Sequence, residues 1–162
     1  MMTDEQKNST AGQNAGQNTG EMRGYGLQRV YVKDVSFESP RAPEVFQGEW
    51  KPAVSMNLST RVRPLSEDRH EVILTVTVEA KQGDDVAFLV ELQQAGVFHV
   101  TGHTEEETKY ILGVRSAQNL FPFAREEIAN LTMKGGFPQI LLQPINFDRV
   151  YQQGVQQAAG EA

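Results

Sequence analysis

Between Val86 and Gln94 the chain alternates, with Val86, Phe88, Val90 and Leu92 on one side of an extended segment and Ala87, Leu89, Glu91 and Gln93 on the other. One side is apolar without interruption; the other sets a leucine beside a carboxylate. The same period recurs upstream. Ala53 to Arg63 turns Val54, Met56, Leu58 and Val62 inward and Ser55, Asn57, Ser59, Arg61 and Arg63 outward, and Glu71 to Lys81 lines Val72, Leu74, Val76, Val78 and Ala80 along one face. Leu27 to Glu38 sets Leu27, Tyr31, Val35 and Phe37 against Gln28, Asp34, Ser36 and Glu38, while Val30 and Val32 break the alternation and imply cover on both faces near its start. Polar turns at Pro64 to His70 and Gln82 to Asp85 join these segments. The pattern predicts an antiparallel meander of four strands with one buried and one mostly polar face.

The period then changes. Thr104 with Glu107 three positions later fits a capping box, and Glu105, Glu106 and Glu107 suit the positive end of a helix dipole. A first helix should carry Tyr110, Ile111, Val114 and Ala117 on its apolar stripe and end near Asn119; a second should begin at Pro122 and stop at Gly135-Gly136. Phe137 to Asp148 reads as a proline-punctuated extended segment. The class is α+β: a four-stranded antiparallel sheet followed by two helices. Residues 1–24, rich in Gln, Asn and Gly, read as a disordered leader, residues 25–148 as the folded domain and residues 149–162 as a mobile polar tail. A long connection, Ser39 to Pro52, holds Pro40, Pro43, Phe46 and the only Trp, Trp50. Two readings stay open for it: a loop pinned to its own domain by buried aromatics, or one wall of an apolar groove.

Composition removes function classes more than it supplies them. A formal charge of −6 over 162 residues argues against binding to nucleic acid. No apolar run approaches the roughly 18 residues of a membrane span, so direct membrane insertion is not expected. Cysteine is absent and no secretory signal leads the chain, which together point to the cytoplasm. His99 and His103 have helical metal-pair spacing but lie around a strand end and Gly102 without a third ligand. Asp84 and Asp85 belong to a solvated turn, and Gly135-Gly136 ends a helix rather than cradling an anion. Asn130-Leu131-Thr132 matches a glycosylation acceptor that a cytoplasmic chain would not use. Neither an enzyme's machinery nor a cofactor or metal site emerges. What remains is an acidic sheet face, a tryptophan-bearing loop and helices rich in apolar positions, which describe a binder.

Several blocks carry a resemblance. Tyr31-Val32-Lys33-Asp34-Val35-Ser36-Phe37-Glu38-Ser39-Pro40, followed by Ala42-Pro43, Val45-Phe46-Gln47 and Trp50, resembles the first strand and crossover loop of the SecB family of bacterial protein-export chaperones. Ala87 to Gln94, Asn119 to Glu126, Phe137-Pro138-Gln139 and Pro144 to Asp148 match it in order. The Gln/Asn-rich leader and the short carboxyl tail depart from the family pattern; the tail assists docking to the motor in that family. The resemblance implies an ATP-independent holding chaperone that binds unfolded secretory preproteins in the cytoplasm and delivers them to the SecA ATPase, without cofactor, as a homotetramer built as a dimer of dimers. It implies a SecA-docking face at Asp34, Glu38, Leu89 and Glu91, a client groove bounded by Phe46, Trp50 and Phe123, and oligomer-interface positions at Phe88, Val90, Leu92 and Gln94. A SecB-like chaperone dedicated to an antitoxin is the alternative within the fold. A small-molecule enzyme is the alternative outside it.

Overall fold

The structure, a computed structural model, describes residues 22–160. The reading of a disordered leader falls, up to residue 21, outside them; Gly24, which that reading included, already belongs to a strand. Four strands form one antiparallel sheet: β1 (Gly24–Glu38), β2 (Ala53–Pro64), β3 (Arg69–Gln82) and β4 (Asp85–Thr101). Their order is β1-β4-β3-β2. This corrects the meander. The hairpins β2-β3 and β3-β4 are as expected, but β1 pairs with β4, so β1 and β2 form opposite edges in a Greek-key arrangement. The connection from Ser39 to Pro52 is long because it spans the sheet, roughly 14 Å across three strand spacings. It is braced by a single 3-10 turn at Glu44–Phe46.

β1 also explains its own broken alternation. Register shifts between Leu27 and Arg29 and between Val32 and Asp34 each insert one residue, and each bulge exchanges the faces of the residues beyond it. Leu27, Val30, Val32, Val35 and Phe37 therefore pair along the face that carries Phe98, Leu92 and Val90, whereas Tyr31 turns to the other side. The sequence period alone put Tyr31 with Leu27, because the broken alternation does not say at which residues the bulges lie.

The inner face is covered by one helical run. α1 (Glu105–Tyr110) starts at the expected capping box, with the Thr104 hydroxyl accepting from the Glu107 amide at 3.2 Å and the Glu107 carboxylate accepting from the Thr104 amide at 2.9 Å. A π-helical turn, Ile111–Arg115, continues into α2 (Ser116–Lys134) without a break. Pro122 lies inside α2 rather than opening a new helix. An interior proline costs about 3 kcal/mol, but Leu120, Phe121, Ala124 and Ile128 are buried on either side of it, and each large apolar side chain contributes about 1.5–3 kcal/mol. Packing wins, and the proline ring faces solvent. Tyr110, expected on the apolar stripe, is 44 % exposed.

The carboxyl end, read as a mobile tail from 149 to 162, is helical up to residue 160, the last described. α3 (Phe147–Gly160) begins where Asn146 Oδ1 accepts from the Arg149 amide at 3.0 Å. Phe147 is buried beside Phe121, and Tyr151 meets Tyr110 edge-on while Tyr110 donates to Asp148. Gly113 makes this docking possible: a Cβ there would lie 2.8 Å from the Tyr151 ring. Phe147, Val150, Tyr151, Gly154, Val155 and Ala158 already had helical spacing.

The outer face is not uniformly wet. Ile73 and Ala95 lie on it yet are essentially inaccessible. Beside them Glu71 is 3 % exposed and accepts from Lys33 Nζ at 2.9 Å, from Arg63 Nε at 3.0 Å and from the Tyr31 hydroxyl. Burial alone would raise the Glu71 pKa, but these donors outweigh it and hold the carboxyl down at about 2, while burial and the adjoining carboxylate push Tyr31 up to about 12. A carboxyl depressed in the folded state stabilises the fold above its unfolded pKa, and the effect is lost as pH falls towards the folded value. Glu71→Gln is therefore expected to cost about 2 kcal/mol at neutral pH. Urea titrations from pH 7 downwards should show the stability curves of variant and parent converging between about pH 4.5 and 2.

Candidate functional site

Adjacent strands assemble the acidic group. On the outer face Glu38 pairs with Leu89, Leu89 with Glu79 and Glu79 with Ser55, and the next row reads Ser36, Glu91, Thr77, Asn57. Asp34 follows opposite Gln93. Asp34, Glu38 and Glu91 are exposed and Leu89 is half-buried among them. The sheet thus brings together all four residues singled out in sequence and adds Glu79, which the sequence reading left unassigned. Glu79 is 3.6 Å from Lys81; Asp34, Glu38 and Glu91 form no ion pair among the described residues. Leu89 thus lies between Glu38 and Glu79 on neighbouring strands with Glu91 beside it along β4.

The aromatic group forms at the opposite side of the sheet, under the β1-β2 connection. Its centre is Phe137, 5 % exposed, whose ring lies 4.9 Å from Phe88, 5.2 Å from Phe46 and 5.2 Å from Trp50, with Phe37 at 6.4 Å. Helix termination aims it there. The Gly136 amide donates to the Met133 carbonyl and the Phe137 amide to the Thr132 carbonyl, a Schellman closure that requires the positive φ of 87° at Gly136. Phe46 remains 48 % exposed while Trp50 packs partly buried against the core. The packing matches the first of the two readings of the connection, a loop pinned to its own domain by aromatics, with Phe46 left partly exposed. Phe123 sits on α2, 44 % exposed and outside this group of rings. Phe137 was missed as a site residue, although its place directly after Gly135-Gly136 was the available signal.

A second apolar recess runs between β2 and α3. It encloses about 670 Å³ and is lined by Leu58, Val62, Leu112, Val150, Tyr151 and Val155 among others. It borders the edge strand β2, whose Val54 and Val62, expected inward, are 48 % and 39 % exposed.

Phe88, Val90, Leu92 and Gln94 stand differently from a surface contact. The first three are fully buried and Gln94 is 3 % exposed, donating from Nε2 to the Tyr31 carbonyl at 3.0 Å. They are buried within the core that α2 covers in one chain, so they present no surface to another copy. His99 faces outward opposite Gly26, while His103 lines a cavity on the helix side with His70. Burial lowers the His70 pKa. Among the described residues no three His, Cys, Asp or Glu side chains gather to hold a metal ion, and no helix is long and apolar enough to cross a membrane.

Comparison with known proteins agrees in family and fold. The family model described as preprotein translocase subunit SecB matches residues 18–158. The protein-export protein SecB of Halorhodospira halophila is 44 % identical over 147 residues, 91 % of this chain and 85 % of the relative. That of Pseudomonas syringae pv. tomato is 48 % identical over 139 residues, 85 % of each chain, and that of Hahella chejuensis 49 % over 131 residues, 81 % of this chain and 82 % of the relative. A SecB-like chaperone of Mycobacterium tuberculosis, solved with a peptide from an antitoxin, shares the fold at a TM-score of 0.62 and 17 % identity, covering 75 % of this chain and 91 % of that one.

Because Phe137 joins the connection to α2, Phe137→Ala should cost about 3–5 kcal/mol and shift Trp50 emission to longer wavelength. Phe123→Ala should change stability by no more than about 0.5 kcal/mol and leave Trp50 emission in place. Fluorescence-monitored urea unfolding reads both.

Proposed function

The chain belongs to the SecB family, and on that premise we propose that it is a cytoplasmic, ATP-independent holding chaperone that keeps secretory preproteins unfolded and hands them to the SecA motor. The observation that carries this reading is the half-open aromatic floor of Phe46, Trp50 and Phe137. It offers apolar area without convergent polar groups that would select one ligand. An unfolded chain supplies apolar side chains in any order, whereas a folded protein has already buried them. The recess along β2 extends the same kind of surface to a second margin of the sheet.

Burial is worth roughly 25 cal/mol per Å² before ordering costs, so a single short segment binds weakly. Strength comes from repetition. In the dimer of dimers proposed for this chain, several floors engage one client, and linkage of this kind raises affinity by about 10² to 10⁴. Phe123 is assigned to the rim of the groove, since its exposed ring on α2 adds apolar area beyond the floor.

The acidic group is assigned to the motor. Asp34, Glu38 and Glu91 attract a basic segment and Leu89 anchors it, a division of labour in which charge sets encounter and the half-buried leucine resists release. Its place on the outer face leaves the aromatic floor free, so client and motor are held together without competing.

Calorimetry of the tetramer with SecA tests the assignment. The parent should bind, with affinity falling as salt shortens the Debye length from about 10 Å at 0.1 M to about 3 Å at 1 M. Glu91→Lys, confirmed tetrameric, should bind at least tenfold more weakly while still suppressing aggregation of an unfolded preprotein. Absence of SecA binding by the parent, with suppression intact, would reassign the chain to an antitoxin-type role; equal affinity for folded and unfolded forms of one precursor would sink the holding mechanism.

A further inference from the structure

The outer face of the sheet divides into halves of opposite sign. The carboxylates of Glu38, Glu79 and Glu91 occupy one half, and along β3 the distance from Glu79 to Glu71 is roughly 27 Å at the usual rise per residue. At the far end the row across the four strands reads Arg63, Glu71, Val97, Arg29. Arg61 lies one row inward on β2, opposite Ile73, and Arg69 lies opposite His99. Lys33, at a bulge, reaches the same side to bond Glu71.

This half therefore carries Arg29, Lys33, Arg61, Arg63 and Arg69 against one carboxylate, Glu71, which Lys33 and Arg63 already hold. Glu67 and Asp68, in the nearby turn, line the helix-side cavity of about 530 Å³ with His70, His103 and Lys109. Arg29, Arg61 and Arg69 are exposed and form no ion pair among the described residues. A concentrated basic surface on a chain of formal charge −6 runs against its overall balance.

We infer that this basic half is a docking surface for a short acidic polypeptide segment, distinct from the acidic group and from the aromatic floor. Guanidinium forks match carboxylates, and Arg61 and Arg63 alternate along β2 at about 6.8 Å, the repeat of same-side residues in an extended peptide. A bilayer or a nucleic acid is a poorer fit. Either is anionic over an extended surface, and across this flat sheet it would also confront Asp34, Glu38 and Glu91. A short segment avoids them. Exposed ion pairs are individually weak, so the segment needs several carboxylates.

The test uses the full chain and a fluorescent peptide of alternating Glu and Ser, followed by anisotropy. Saturable binding is expected at about 0.01 M salt, weakening at least tenfold by 0.15 M as the Debye length contracts from about 30 to 8 Å. Arg29→Glu with Arg61→Glu should lose at least tenfold of the low-salt affinity. Arg61→Gln, which changes one exposed side chain and should fold if the double variant does not, should lose about threefold. Failure of the parent to bind at low salt, or unchanged binding by a folded variant, overturns the inference. So does preferential binding to anionic phospholipid vesicles, which would make a membrane the occupant. Salt-sensitive self-association abolished by the same variants, without peptide binding, would assign the surface to the acidic half of a second copy instead.

Discussion

The packing of one helical run onto the inner faces of β3 and β4 governs the molecule. Val72, Leu74, Val76 and Val78 from β3, and Phe88, Val90, Leu92 and Phe98 from β4, are sealed by Leu112, Val114, Ala117, Leu120, Ala124 and Ile128. This contact carries the interior proline of α2 and fixes which sheet face meets solvent. It also decides where recognition sits. With the inner face consumed by the chain's own helix, the surfaces left open are the outer face, the margins, the loop that crosses the sheet and the exposed side of the helix that carries Phe123.

Those surfaces differ in character. Around Phe137 the apolar rings are presented without accompanying polar groups. On the outer face charge is arranged in rows by strand register. Glu71 lies within that face: it neutralises part of the basic half while tying β1, β2 and β3 together through Lys33, Tyr31 and Arg63. A buried carboxylate so supported is costly to desolvate but more costly to strip of its donors.

Much of this was legible in the sequence because strand period and capping chemistry are local. The four strands, the Thr104 cap and the stop at Gly135-Gly136 all followed from near neighbours. The errors share a cause. Pairing of β1 with β4, the face of Tyr31 and the passage of the helix through Pro122 depend on partners distant in the chain. Docking of α3 on Gly113 and the convergence on Phe137 do as well. Phe88, Val90 and Leu92 were correctly read as one apolar face, but periodicity cannot say whether a helix of the same chain or a second subunit covers it.

The Greek-key connection also bears on the order in which the chain is made. β1 leaves the ribosome ahead of the other strands, yet among the described residues its sheet partner is β4, and β2 and β3 are synthesised in between. Until then β1 presents Val30, Val32, Val35 and Phe37 with nothing to pair against. Closing this edge is the most non-local pairing in the sheet, so it carries the largest loop-closure cost and nucleates slowly. For a time, then, the nascent protein offers the kind of unpaired apolar strand that its finished fold is built to hold.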